Sequence, residues 1–298
     1  MIKIILLDGM MQIYRCNFKL DELVTRKGQK TGLEYGFLKG LEAFRRYWND
    51  EIIVCWEGHN NFRYKIDSEY KANRREKRKK DAHQFLTPER MKNFMGIVSM
   101  VAETAQDDEL EADDVIASLA EKYCQTEKVI IYSGDKDLHQ LLRDKPFPVV
   151  QVKEYQYRET PWTVKRISDK LHGLRPDQLA VYMAFTGDAI DNIPGAVRVR
   201  SPIIGAAIRN GYEPERLFDY ELFTLKEIYA LEEHIDSGRY AKNLELVTLK
   251  IKDVPIIERN WQPEEIAKWL YAMEFRTLKL CQQCGGALPG TISEEDEF

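Results

Sequence analysis

Three short apolar runs, each closed by an acidic residue beside a glycine, set the architecture that this chain can adopt. Ile2-Lys3-Ile4-Ile5-Leu6-Leu7 ends in Asp8-Gly9, and Ile52-Ile53-Val54-Cys55-Trp56 ends in Glu57-Gly58. The third, Val129-Ile130-Ile131-Tyr132, ends in Ser133-Gly134-Asp135-Lys136-Asp137. Continuous runs this short read as strands buried on both faces, the pattern of a parallel sheet. Helical patterns separate them: between Gly32 and Asn49, the residues Leu33, Phe37, Leu41, Phe44 and Trp48 fall on one face. Strand and helix alternate, so the first half is expected to be an α/β domain, a mostly parallel sheet flanked by helices.

In open parallel sheets, ligands bind outside the carboxyl ends of the strands. Asp8, Glu57, Asp135 and Asp137 are therefore expected at one edge. A further acidic stretch, Glu111-Ala112-Asp113-Asp114, opens the helix-like run that precedes the third apolar run, where the helix dipole favours negative charge. A single acid in such a place is ordinarily a cap or a solvated turn. Four acidic stations at one edge repel one another unless cations neutralise them. Oxygen donors without accompanying His or Cys favour a hard cation, Mg²⁺ or Mn²⁺, over zinc, and the five histidines show no metal-ligand spacing. So many carboxylates exceed what one octahedral Mg²⁺ needs, so two or more ions are expected. Such a pair stabilises the attacking and leaving oxygens of a displacement at phosphorus, which makes phosphodiester hydrolysis the expected chemistry.

A chain of 298 residues with 44% hydrophobic composition can bury more than one core. The expected division is an α/β domain over 1–160, a smaller helical domain over 161–284, and a disordered acidic tail over 285–298. The N-terminal apolar run is too short for a signal peptide and no later run reaches membrane-spanning length, so a cytoplasmic protein without membrane contact is expected. The five cysteines, Cys16, Cys55, Cys124, Cys281 and Cys284, read as reduced thiols, and the C-x-x-C at Cys281 lacks the second pair that a zinc site requires. Net charge is −5, but its distribution is uneven: Arg63 to Lys80 holds nine Lys/Arg against three acids, and Glu103 to Asp114 holds seven acids and no base. In the basic segment, Arg63, Arg75 and their neighbours are expected to hold phosphates, while Tyr64 or Tyr70 stacks on an unpaired base.

Taken in order, Leu7-Asp8-Gly9, Tyr70-Lys71-Ala72-Asn73-Arg74, Glu111-Ala112-Asp113-Asp114-Val115-Ile116, Asp135-Lys136-Asp137-Leu138, Leu174-Arg175-Pro176-Asp177-Gln178 and Thr186-Gly187-Asp188-Ala189-Ile190-Asp191-Asn192-Ile193-Pro194-Gly195 resemble the structure-specific 5′-nuclease family. That family comprises flap endonucleases, bacteriophage 5′–3′ exonucleases and the 5′-nuclease domain of bacterial DNA polymerase I. The resemblance implies a PIN-like fold with a basic helical arch, about 60–102, and a helix-three-turn-helix in the C-terminal domain. It implies one metal site at Asp8, Glu57, Glu111 and Asp113, with Asp114 close by, and a second at Asp135, Asp137, Asp188 and Asp191. It also puts Arg15, Lys71 and Arg74 at the scissile phosphate or along the strand's path. The substrates it implies are DNA 5′ ends and flaps, extended to RNA primers and RNA–DNA hybrid in replication, cut by a monomer.

The chain departs from the family where a G-x-G-x-K hairpin would follow the Pro-Gly. It carries Arg198-Val199-Arg200-Ser201-Pro202 instead. Glycine permits backbone angles and close phosphate approach that arginine does not, so Arg198 and Arg200 are expected to hold the duplex through their side chains. The acidic terminus Glu294-Glu295-Asp296-Glu297 is read as a solubilising tail and as a candidate contact for a replication partner. Two rival readings are a PIN-type ribonuclease and a nuclease-like scaffold that binds branched DNA without cutting it.

Overall fold

The computed structural model describes residues 3–20, 22–48, 51–74, 87–153, 160–275 and 277–278. Strands β1 (Lys3–Asp8), β2 (Glu51–Trp56), β3 (Glu103–Gln106), β4 (Lys128–Tyr132), β5 (Val149–Val152) and a late strand form one sheet. Two-residue strands β6 (Gly187–Asp188) and β7 (Ile193–Pro194) make a separate hairpin, so the late strand, Ile256–Ile257, is β8. The helices are α1 (Gly9–Lys19), α2 (Gly32–Trp48), α3 (Arg63–Ile66), α4 (Pro88–Val101), α5 (Ala112–Tyr123), α6 (Val164–Lys170), α7 (Leu179–Thr186), α8 (Ser201–Arg209), α9 (Leu225–Asp236), α10 (Arg239–Val247) and α11 (Pro263–Ala272). The sheet runs β5-β4-β1-β2-β3-β8; all its pairings are parallel except that of β8 with β3.

The apolar runs form central strands because both faces are covered. Ile5, Leu7, Ile52, Val54, Trp56, Ile130 and Tyr132 point to the side packed by α1, α2, α4 and α11. Ile4, Leu6, Ile53, Cys55, Val129 and Ile131 point to the side packed by α5. This alternation is the two-residue period of a strand, and each fully buried aliphatic side chain contributes about 1.5–3 kcal/mol. Register fixes the functional edge: Leu7 pairs with Val54 on one side and Tyr132 on the other, so Asp8, Glu57 and the loop after Tyr132 leave the sheet side by side.

Three strands escape the apolar-run pattern. β3 lies inside the acidic stretch with only Thr104 and Ala105 buried, β5 is a four-residue edge strand and β8 has two residues. The segment 161–284, read from sequence as one helical unit, divides. Through α10 it packs its own core, with Ile167, Leu179, Phe185, Ile204, Leu217, Leu231 and Leu246. It then returns to the sheet, where β8 pairs with β3 and Ile266, Leu270, Met273, Phe275 and Leu278 enter the first core. At the two ends of the stretch expected to form the arch, Arg63 in α3 is buried, and α4 buries Phe94, Ile97, Val98 and Val101. Residues 75–86, with Arg75, and the acidic tail 285–298 lie outside the described residues, as do Cys281 and Cys284. No described helix is long and apolar enough to cross a membrane.

Gly9 shows how tightly the first acidic turn is packed. A Cβ there would lie 2.4 Å from the Trp56 ring and 3.0 Å from the Cys55 carbonyl oxygen. Gly9→Ala is therefore expected to lower stability by about 1–3 kcal/mol through overpacking, read as a lower urea midpoint at unchanged slope.

Candidate metal centre

Asp8 ends β1 and caps α1. Its Oδ1 accepts the Met11 N–H at 2.9 Å and its Oδ2 accepts the Ser133 hydroxyl at 2.8 Å. Burial, reinforced by Asp135 and Glu57, pushes its carboxyl up to about 6 against those two hydrogen bonds. Glu57 follows β2, its carbonyl held by Gln106 Nε2 at 2.7 Å. Glu111 caps α5 and Asp113 sits in the first turn. Burial first, then Asp135 and Asp8, hold Asp113 far above the usual carboxylate range. Asp8, Glu57, Glu111, Asp113 and Asp135 line one cavity of about 200 Å³ together with Lys71, Arg74, Tyr14, Tyr64, Met10 and Met11.

A second group adjoins it. Asp137, Asp188 and Asp191 each offer an oxygen, and the three lie within 4.8 Å of one another. Burial, with Asp135, Asp188 and Asp191 adding to it, raises Asp137 to about 7, and its buried Oδ1 has no hydrogen-bond partner. Asp135 joins the groups, because it lines the cavity and its Oδ1 accepts the Asp137 N–H at 3.0 Å. The donor set is all oxygen, mutually repelling and in one place left without a partner. It fits divalent cations.

Cationic side chains already lean on these carboxylates. Lys71 Nζ is 2.6 Å from Glu111 and 3.8 Å from Asp191, Arg74 is 2.7 Å from Asp191, and Lys136 is 2.9 Å from Asp188. Against its burial, Glu111 and Asp191 raise the Lys71 ammonium above its usual value. Although burial alone would raise it, Lys71 and Arg63 keep Glu111 below the usual carboxylate range.

Several residues grouped with this site on sequence do other work. Arg63, expected on nucleic acid, is 2% exposed. Its Nη2 donates to Asp114 Oδ1 at 2.8 Å and its Nε to the Leu246 carbonyl at 2.7 Å. Asp114 in turn accepts the Lys250 N–H at 2.8 Å and the Glu111 N–H at 3.2 Å. Both side chains form a buried clamp joining α3 and α5 to the end of α10 and the chain after it, and Asp114 does not line the cavity. Tyr70 is likewise buried rather than free to stack on a base, its hydroxyl 3.1 Å from Glu111 and 3.3 Å from Asp191. Arg15 donates to the Tyr132 hydroxyl and the Lys153 carbonyl, both at 2.7 Å, beside the lining rather than in it.

Arg200 is committed to Glu227 through Nε at 2.7 Å and Nη2 at 2.6 Å. It holds that carboxyl below its usual range and fastens the loop before α8 to the start of α9. Arg198 adopts a left-handed backbone, φ 62°, where the family's hairpin would carry glycine. Sequence reasoning overlooked Tyr14, Ser133 and Asn61, whose Nδ2 donates to Glu111 at 2.7 Å. Tyr14 had a signal: with Met10 and Met11 it follows Asp8 at helical spacing on α1.

Residues 3–171 match the family model described as the 5′–3′ exonuclease, N-terminal resolvase-like domain. The chain belongs to the 5′–3′ exonuclease family. DNA polymerase I of Thermus aquaticus is 34% identical over 197 residues, which are 65% of this chain and 22% of the polymerase. A 5′–3′ exonuclease of Buchnera aphidicola subsp. Schizaphis graminum is 32% identical over 200 residues, 66% of either chain. The chain thus spans about a quarter of the polymerases it matches and about two thirds of the shorter exonucleases. In fold it resembles the zinc-bound T5 5′-exonuclease, with TM-score 0.68, 21% identity, and coverage of 83% of this chain and 89% of that one. It also resembles flap endonuclease-1 from Methanococcus jannaschii, with TM-score 0.63, 18% identity, and coverage of 95% and 91%.

Neighbouring acids in α5 should respond oppositely to neutralisation. Asp114→Asn strips a buried guanidinium of its counter-charge and is expected to cost about 3–5 kcal/mol. Asp113→Asn removes a repelled carboxylate and is expected to gain about 0.5–2 kcal/mol in thermal melts run with a chelator. Equal destabilisation by both would contradict the division of roles.

Proposed function

We propose that this chain is a metal-dependent phosphodiesterase acting as a 5′–3′ exonuclease and flap endonuclease on DNA, and on RNA primers during replication. The observation that carries this reading is the convergence of Asp8, Glu57, Glu111, Asp113 and Asp135 in one cavity with Lys71 and Arg74, adjoining the Asp137–Asp188–Asp191 group. Its sequence relatives are named as exonucleases and as DNA polymerase I. Support comes also from a structure of similar fold, the T5 flap endonuclease in complex with DNA and metal ions, with TM-score 0.66.

In this reading, Asp8, Glu57, Glu111 and Asp113 hold one divalent cation, Mg²⁺ or Mn²⁺, and Asp135, Asp137, Asp188 and Asp191 hold another. Cations held there would supply the positive charge that stabilises the attacking and leaving oxygens of an in-line displacement at phosphorus. The chain's own residues bind and orient. Lys71 is a compact point charge beside Glu111, and Arg74, with 40% of its side chain exposed, presents a planar fork suited to phosphate. Tyr14 and Met11 give the cavity an apolar border against which a base can rest. The helix pair α7 and α8, with the β6–β7 hairpin between them, grips duplex backbone, and Arg198 rather than Arg200 supplies the free charge there. We take the enzyme to act as a monomer in the cytoplasm.

A 5′-labelled flap duplex tests the reading. Short labelled products are expected with Mg²⁺ and none with chelator. Tight binding without metal-dependent cleavage would instead identify a non-cleaving scaffold, and cleavage confined to RNA a ribonuclease. Lys71→Ala is expected to lower kcat by about 10²–10³-fold while changing duplex affinity far less; equal losses in both would remove its role at the phosphate.

A further inference from the structure

Residues 69–74, at the foot of the basic stretch, lie against the loop that carries Asp188 and Asp191, and hydrogen bonds cross the seam in both directions. The Lys71 N–H donates to the Asp191 carbonyl at 2.9 Å. Asn73 Nδ2 donates to the Ala189 carbonyl at 2.9 Å, and Asn192 Nδ2 donates back to the Glu69 carbonyl at 2.8 Å. The carboxylate of Asp191 is gripped by the same segment, through Arg74 at 2.7 Å and the Tyr70 hydroxyl at 3.3 Å. Lys71 and Asn192 both hold left-handed backbones, with φ of 54° and 61°. Such a conformation is costly for a residue with a Cβ and persists only where surrounding contacts fix it.

Asp137 opens the 3-10 turn Asp137–Leu141 in the segment that follows β4. Asp188 and Asp191 come from the β6–β7 hairpin of the helical half, so sheet register does nothing to set their distance from Asp137. The seam does. We propose that Asn73 and Asn192 are positioning residues for the Asp137–Asp188–Asp191 cation site: they fasten the hairpin loop to the foot of the basic stretch and so fix the reach of Asp188 and Asp191 toward Asp137. Neither asparagine lines the cavity, and both are exposed, so each acts through the loop rather than on an ion or a phosphate. By linkage, whatever docks residues 69–74 tightens cation binding, and cation binding docks those residues.

The inference rests on the metal-site reading above, and a Mn²⁺ titration by calorimetry separates the two. Asn192→Gly keeps the left-handed backbone accessible and removes only the side-chain bond; Asn73→Ala removes the opposite one, along with the bond that its Oδ1 accepts from the Arg74 N–H at 2.8 Å. Wild-type protein is expected to bind two ions. Each variant is expected to lose about tenfold or more in affinity for one of them, the same ion lost in Asp137→Asn, with the other ion and the melting temperature in chelator unchanged. A wild-type protein that binds no ion pair overturns the metal-site reading itself. Wild-type Mn²⁺ affinity in both variants overturns the positioning role while leaving that reading intact. Equal weakening of both ions, or a loss of melting temperature alone, shows a general structural effect and overturns it as well.

Discussion

Repulsion among carboxylates gathered at one sheet edge is the constraint to which the rest of this structure answers. Parallel register delivers Asp8 and Glu57 from adjacent strands and Asp135 and Asp137 from the next, and α5 adds Glu111 and Asp113. Partial burial weakens the screening that water gives them, so Asp8, Asp113 and Asp137 are all pushed toward their neutral forms. A site of this kind works against folding, and it survives because two fully packed sheet faces hold the strand ends in place. The helical half contributes in the same sense: its core fixes the hairpin from which Asp188 and Asp191 reach back to the edge.

Counter-charge is supplied by cations of two kinds, and exposure separates them. Arg63 has 3% of its side chain exposed and a bidentate partner in Asp114 with none, so its charge is spent inside the protein, holding three segments together and stabilising the Glu111 carboxylate. Arg74 and Lys136, with 40% and 53% of their side chains exposed, pair with Asp191 and Asp188 at the surface of the site. Asp113 and Asp114 divide in the same way. Consecutive helix positions point about 100° apart, so one faces the cavity and the other faces the clamp, and a doubled acid in sequence becomes two unrelated functions.

Which parts were legible in sequence follows from the range of the forces that fix them. Strand ends carry their own signal, a continuous apolar run and then an acid, so the residues alone bring Asp8, Glu57, Asp135 and Asp137 to one edge. The strands β3, β5 and β8 carry no such signal because they are short and their burial comes from neighbours distant in sequence. The same reason hid the contacts of Arg63, Tyr70 and Arg200. Each sits in a run or loop whose composition suggests a free, solvated charge or ring, and each is buried or paired by a segment far away: Leu246 and Asp114 for Arg63, Asp191 for Tyr70, Glu227 for Arg200. Charge and aromatic pattern describe what a residue can contact, and only tertiary packing decides what it does contact.

The two kinds of ligand that the proposed function requires, cations and a polyanion, are linked through the same few side chains. Lys71 and Arg74 neutralise Glu111 and Asp191, and they are also the residues best placed to meet a phosphate. While they serve the carboxylates, their charge is engaged inside the protein. In the proposed function, divalent cations held by these carboxylates would take over that neutralisation and leave Lys71 and Arg74, which already line the cavity, available to a phosphate. Reciprocity of this kind is required by linkage once one side chain answers to both partners.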